Sequence, residues 1–125
     1  MRLLLDTQVM LWAVGDPGRI RPTTRATIDD PNNDVLVSSA SVWESSIKIA
    51  SGKLRLPMDL GDAVDRSGFR ALQITHNHAI AAGALPRHHR DPFDRMLVAQ
   101  AQLEGLTLVT TDRQLAAYDV AVLPA

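Results

Sequence analysis

Short, nearly unbroken apolar runs alternate along this chain with longer segments of helical apolar spacing, and few folds accommodate that rhythm. Residues 2–6, 35–38, 70–74 and 107–110 read as strands, with a weaker fifth at 121–123. Helical spacing and punctuation mark residues 7–14, 24–30, 41–51, 59–67 and 76–85. A longer helix opens at Asp91-Pro92, with Asp at the cap and Pro in the first turn, and runs to 102–105. A short one follows at 113–118. Strands apolar on both faces and separated by helices predict an α/β fold, a parallel sheet covered on each side. In such sheets the functional crevice lies beyond the carboxyl ends of the strands.

The 125 residues predict a single domain spanning 1–125, since domains commonly hold about 100–150 residues. No apolar run reaches the ~18–20 residues of a membrane span, and Asp6 interrupts the N-terminal run before it could act as a signal peptide. The chain has no cysteine, which excludes disulfides, thiolate catalysis and Cys-ligated metal sites. These features lead us to expect a cytoplasmic protein. A net charge of −1 lacks the basic footprint of a nucleic-acid binder. Setting four of the 14 acids aside as metal ligands leaves 10 against 13 basic residues, a balance of +3.

Four acids fit that role. Asp6 closes the first strand after Leu3-Leu4-Leu5, where an unpaired charge is costly. Asp112 closes another strand after Thr110-Thr111. Asp94 lies in the first turn of the longest helix, three residues after the capping Asp91. Glu44 sits beside Trp43 on a helix built mostly from Ser, Ile and Ala. Each also has a structural reading: Asp6, Asp91 and Asp112 as helix caps, and Ser41-x-x-Glu44 as a capping box. Together, Asp6, Glu44, Asp94 and Asp112 fall at one end of the α/β unit, where four carboxylates would repel one another. A hard divalent cation, Mg²⁺ or Mn²⁺, resolves that repulsion and leaves room for a substrate phosphate.

Other catalytic designs fit poorly. There is no phosphate loop ending in Lys-Ser/Thr and no G-x-S-x-G elbow. Gln8 stands where a haloacid-type phosphatase would carry a second Asp. A receiver domain shares the size and strand pattern, but the chain lacks paired acids after the first strand, an Asp closing the third, and a late Lys. His76 and His78 read as capping and packing residues. The stretch Arg87-His88-His89-Arg90, with Arg95 beyond it, reads as a basic patch for substrate phosphates rather than an acid–base pair, because adjacent residues do not face each other. Trp12 and Trp43 read as core, with stacking against substrate bases as the alternative.

Several strings, in this order, resemble the PIN-domain nucleases and most closely the VapC-type ribonuclease toxins of bacterial toxin–antitoxin pairs. They are Leu4-Leu5-Asp6-Thr7 with Leu11-Trp12, Ser41-Val42-Trp43-Glu44 and Gly52-Lys53-Leu54. Leu85-Pro86-x-His88-His89-x-Asp91-Pro92-Phe93-Asp94-Arg95 and Thr110-Thr111-Asp112 complete the set. The resemblance implies a PIN-like three-layer α/β/α fold with a mostly parallel sheet, with Asp6, Glu44, Asp94 and Asp112 as metal ligands and Asp91 just outside the quartet. It also implies metal-dependent hydrolysis of RNA, a homodimer, and a VapB-type antitoxin forming a hetero-oligomer with the toxin. Gln8 departs from the histidine common in this subgroup. Thr7 and Thr111, beside the acids, are candidates for orienting a water or a carboxylate. The rival expectation is a non-catalytic PIN-like module that binds RNA or a partner, with structural acids.

Overall fold

Leu3, Leu4 and Leu5 are each fully buried, and in a strand successive side chains point to opposite faces, so this strand must be covered on both sides. The computed structural model, which describes residues 1–125, shows how. Leu3 and Leu5 join Val9, Met10, Ile28, Val35 and Val37 in one core, while Leu4 joins Leu36, Leu97, Val98 and Leu108 in a second on the opposite face. The architecture is three-layered.

The central strand is β1 (Arg2–Leu5). It is followed by α1 (Thr7–Gly15), a short 3₁₀ turn (Pro17–Arg19), α2 (Pro22–Asp29), β2 (Asp34–Ser38) and α3 (Ser39–Ala50). Then come α4 (Leu60–Arg66), β3 (Arg70–Leu72), α5 (His76–Ala84), α6 (Pro92–Glu104), β4 (Thr107–Thr110), a 3₁₀ turn (Arg113–Ala117) and β5 (Val122–Pro124). The strand order is β3-β2-β1-β4-β5 and every pairing is parallel. The chain builds outward from β1 through β2 and β3, then crosses back to place β4 on the other side of β1. The crevice between β1 and β4 is therefore the topological switch point, the place where an open α/β sheet presents a site. Asp6 follows β1 there, and Asp112 lies just past β4.

Several boundaries differ from the sequence expectation for identifiable reasons. The 113–118 helix is a 3₁₀ turn, and β3 stops at Leu72 rather than 74. The second helix begins at Pro22 because proline suits the first helical position, where no N–H is needed. The largest difference concerns α3. Its cap is Ser38, whose Oγ accepts the Ala40 N–H at 3.0 Å, not Ser41. The strand runs straight into the helix, and Ser41 sits inside it, fully buried, with its Oγ lacking a hydrogen-bond partner. At the other end of the site-bearing helix α6, Gly105 adopts φ +66°, a left-handed cap that releases the chain into β4.

Candidate active site

Asp6 is the N-cap of α1. Its Oδ1 accepts the Val9 N–H at 2.8 Å and its Oδ2 accepts the Thr110 hydroxyl at 2.5 Å. It is only 6% exposed, and burial raises its pKa. The bonds from Thr110 and Val9 pull the other way, while the neighbouring charges of Glu44 and Asp112 add to the rise. Glu44 projects from α3 and is 9% exposed. Its Oε1 accepts the Thr7 hydroxyl at 2.6 Å and its Oε2 meets Lys48 Nζ at 3.0 Å. Because Ser38 rather than Ser41 caps α3, Glu44 does not occupy the capping-box position, and its local bonds are those to Thr7 and Lys48.

Asp91 caps α6, accepting the N–H groups of Phe93 and Asp94 at 2.8 and 3.3 Å. That leaves Asp94 free of capping duty, one turn into the helix and facing the crevice acids. Its pKa is pushed up to about 7, first by burial, then by the charge of Asp91, with Asp6 and Glu44 adding and His89 opposing. Asp112 caps the last 3₁₀ turn through Gln114 N–H at 2.9 Å, and its own N–H donates to Thr110 Oγ1 at 3.0 Å. Thr110 thus ties Asp6 to Asp112 across the switch point.

The structure adds a residue the sequence analysis placed elsewhere. His89 Nε2 lies 2.9 Å from Asp112 Oδ2 and 3.5 Å from Asp94 Oδ2. Its Nδ1 accepts the Asp91 N–H at 3.0 Å, so in the neutral ring the proton sits on Nε2 and is donated to Asp112. The adjacent histidines do not pair: His88 turns onto Tyr118, 5.0 Å between ring centroids, while His89 pairs with acids distant in sequence. The available signal was His89 two residues before a capping Asp, the spacing at which its ring can turn back onto that residue's backbone.

Other expectations are corrected. Arg95 does not face the crevice: its guanidinium donates to the carbonyls of Ala82, Leu85 and Pro86 at 2.9–3.0 Å. These carbonyls lie at and just beyond the end of α5, so Arg95 locks α5 to α6 and has no fork left for phosphate. Thr110, not Thr111, holds a carboxylate; Thr111 is exposed. Trp43 is 60% exposed and stands edge-to-face on Phe93, 5.3 Å between centroids, so it is not a core residue. Trp12 is half-buried against the first core, with the Arg19 guanidinium over its ring at 5.6 Å. Arg87 and Arg90 are exposed beside the acids in sequence. His78 caps α5 with Thr75, as its neighbours suggested, and reaches Glu104 at 2.9 Å.

The donor set suits a divalent cation. Asp94 and Asp112 carboxylate oxygens and His89 Nε2 lie within 4.8 Å of one another. Asp6 and Glu44 fall outside that group of three but act on it electrostatically: Asp6 and Glu44 both raise Asp94, and Asp112 raises Asp6. Oxygen donors that repel one another in this way are what Mg²⁺ or Mn²⁺ takes. His89, with its Nε2 proton committed to Asp112, acts as a hydrogen-bond donor to the set.

A three-layer α/β fold with acids gathered at the β1/β4 switch point matches a known family over nearly the whole chain: the PIN domain model covers residues 3–121. The chain belongs to the PIN-domain family. It is 30% identical to Ribonuclease VapC22 of Mycobacterium tuberculosis over 125 residues, which cover 93% of this chain and 91% of that one. Among solved structures it resembles VapBC2 from Rickettsia felis, bound to a promoter DNA fragment (TM-score 0.75, 16% identity, 100% and 99% of the two chains). The DNA-bound VapBC from Salmonella typhimurium is similar too (TM-score 0.71, 18% identity, 99% and 98%). So is VapC20 from Mycobacterium tuberculosis, described as a Sarcin-Ricin loop cleaving toxin (TM-score 0.62, 15% identity, 95% and 96%). At these identities the structural likenesses establish the fold.

Proposed function

We propose that this chain is a divalent-metal-dependent endoribonuclease that serves as the toxin of a toxin–antitoxin pair. The observation that carries the reading is the geometry at the β1/β4 switch point: carboxylate oxygens of Asp94 and Asp112 and His89 Nε2 lie within 4.8 Å of one another, beside the buried Asp6 and Glu44. Capping α6 is already done by Asp91, which leaves Asp94 available to a cation. Burial and its acidic neighbours push Asp94 up to about 7, the direction expected of a carboxylate site without its cation. Relationship to Ribonuclease VapC22 and fold likeness to toxins solved as VapBC complexes support the substrate class and a VapB-type partner.

Bound at this site, Mg²⁺ or Mn²⁺ would acidify a water and neutralise charge on the scissile phosphate. The chain's own residues prepare for that. Thr110 and the Val9 N–H fix both oxygens of Asp6, and Thr7 fixes one oxygen of Glu44, so two of the four carboxylates are oriented before any ligand arrives. Lys48 neutralises part of the Glu44 charge. His89 holds a proton at Nε2 between Asp94 and Asp112, and Arg87 and Arg90 supply exposed cations for substrate phosphates. Incubating the purified chain with single-stranded RNA, with Mn²⁺ or with excess EDTA, tests the proposal. Cleavage should need the metal and be lost in Asp94→Asn. Equal cleavage in EDTA would refute metal dependence. A folded wild type that never cleaves with metal present would favour the non-catalytic module.

A further inference from the structure

The acid cluster is flanked by two grooves that its chemistry alone does not explain. One, of about 400 Å³, opens beside Glu44 and Asp91 and carries Lys53 and Arg90 in its wall. The other, of about 490 Å³, opens beside Asp112 and carries Arg21 and Arg113. All four of these basic side chains are exposed, and none makes an ion pair or a side-chain hydrogen bond. By contrast Lys48, in the first groove, is paired to Glu44, and Arg95 is committed to carbonyls. A chain with a net charge of −1 has acids enough to neutralise surface cations. Arg55, Arg66 and Arg87 are exposed and unpaired as well, so what distinguishes these four is position: two cations on each side of a carboxylate cluster suit an external polyanion.

An aromatic sits next to the first groove. Phe93 lines it, and Trp43 leans edge-to-face on Phe93 while remaining 60% exposed. A large exposed indole held in place by a second ring is a platform for a nucleobase, since every base offers a face to stack on. Cations for phosphates and an aromatic for bases together describe a single-stranded nucleic acid rather than a protein tail or a small anion.

We infer that single-stranded RNA is threaded across the site, one flank held by Lys53 and Arg90 with a base on Trp43, the other by Arg21 and Arg113, and the scissile phosphate over the acids between them. The inference rests on the ribonuclease reading for its substrate class, but its test does not depend on cleavage. A fluorescein-labelled 12-nucleotide oligouridylate is titrated onto the intact chain in EDTA at several KCl concentrations, read by anisotropy. The paired variants Lys53→Ala/Arg90→Ala and Arg21→Ala/Arg113→Ala should each weaken binding about tenfold. Each should also flatten the slope of log Kd against log salt by about 1.4, since a single-stranded phosphate contact contributes ~0.7. Arg66→Ala, exposed on α4 away from both grooves, should change neither. Oligouridylate should quench intrinsic tryptophan fluorescence in the wild type but not in Trp43→Phe, where Trp12 remains.

Loss of affinity in only one paired variant would overturn threading in favour of one-sided capture. Unchanged affinity in both would overturn the inference and assign the grooves to a protein partner or a second copy of the chain. The two readings separate cleanly. Cleavage with metal but no effect of either pair leaves the ribonuclease and removes the path. Groove-dependent binding without cleavage keeps the path and removes the ribonuclease.

Discussion

Replacing Asp94 by Asn should stabilise the metal-free protein, increasingly as pH rises above about 4 and fully above about 7. Asp94 moves from its ordinary 3.8 to about 7 on folding. The sign follows from linkage: the folded state binds this proton more tightly, so its contribution is fully present below about pH 4 and is lost as pH rises through about 7. At ~1.4 kcal/mol per pH unit the full difference is ~4 kcal/mol. The side chain keeps 20% of its exposure, so solvent offsets part of the desolvation and screens part of the repulsion, and about 2 kcal/mol is the expected effect. Asparagine removes the charge while Asp91 continues to cap α6. Urea unfolding in EDTA from pH 4 to 8 measures this, with wild type and variant compared at each pH so that all other titrations largely cancel. The variant's advantage should be near zero at pH 4, grow through pH 7 and level off by about pH 8. Saturating Mn²⁺ should reverse the order, because only the wild type gains a full ligand set. A variant less stable at every pH, or a difference independent of pH, would refute the idea that burial and neighbouring acids hold Asp94 in a state a cation would relieve.

Ser38→Ala should lower stability by about 1 kcal/mol in thermal or urea melts, the usual worth of an N-cap, whereas Ser41→Ala should cost little because its buried hydroxyl has no partner to lose. Arg95→Lys should destabilise the fold by roughly 2 kcal/mol, since an ammonium cannot reproduce a planar fork reaching three carbonyls; a melt matching wild type would show those bonds to be dispensable. Glu44→Gln should melt close to wild type in EDTA yet show a smaller Mn²⁺-induced rise in Tm, and an undiminished rise would remove Glu44 from the metal set.

The fold was largely legible because β1 carries its instruction in three consecutive leucines: a strand apolar on both faces has to be central, and helices must cover it. The same logic predicted a crevice at the strand ends and so drew attention to Asp6 and Asp112. What the sequence hid was anything decided by which atom reaches which. Ser41-x-x-Glu44 is a fair capping box by spacing, but a serine three residues earlier, at the very end of a strand, wins the cap because β2 leads into α3 with no intervening loop. Arg95 reads as one more cation in a basic stretch. Only the fold reveals that the last carbonyls of α5 lie within its reach and are better satisfied by it than by water. Trp43 looks like core by residue type, and only the exposed face of α3 shows otherwise.

The misplaced residues share a cause that bears on how the site is built. Each carboxylate of the site region lies at the boundary of an element or within its first turns, so capping and ligation compete for the same side chains. The chain resolves the competition by division of labour. Asp91 caps so that Asp94 need not, and Ser38 caps so that Glu44 need not. Asp6 does both jobs, with one oxygen on the Val9 N–H and the other on Thr110, and Asp112 caps with Oδ1 while Oδ2 meets His89. Asp6 and Asp112 are fixed by the backbone they terminate and Glu44 by Thr7 and Lys48, which leaves Asp94 as the responsive member. Asp94 is the carboxylate driven up to about 7, and there a cation would change protonation. That asymmetry follows from β1 and β4 being neighbours in the sheet, which obliges their terminal acids to face each other whatever the helices bring.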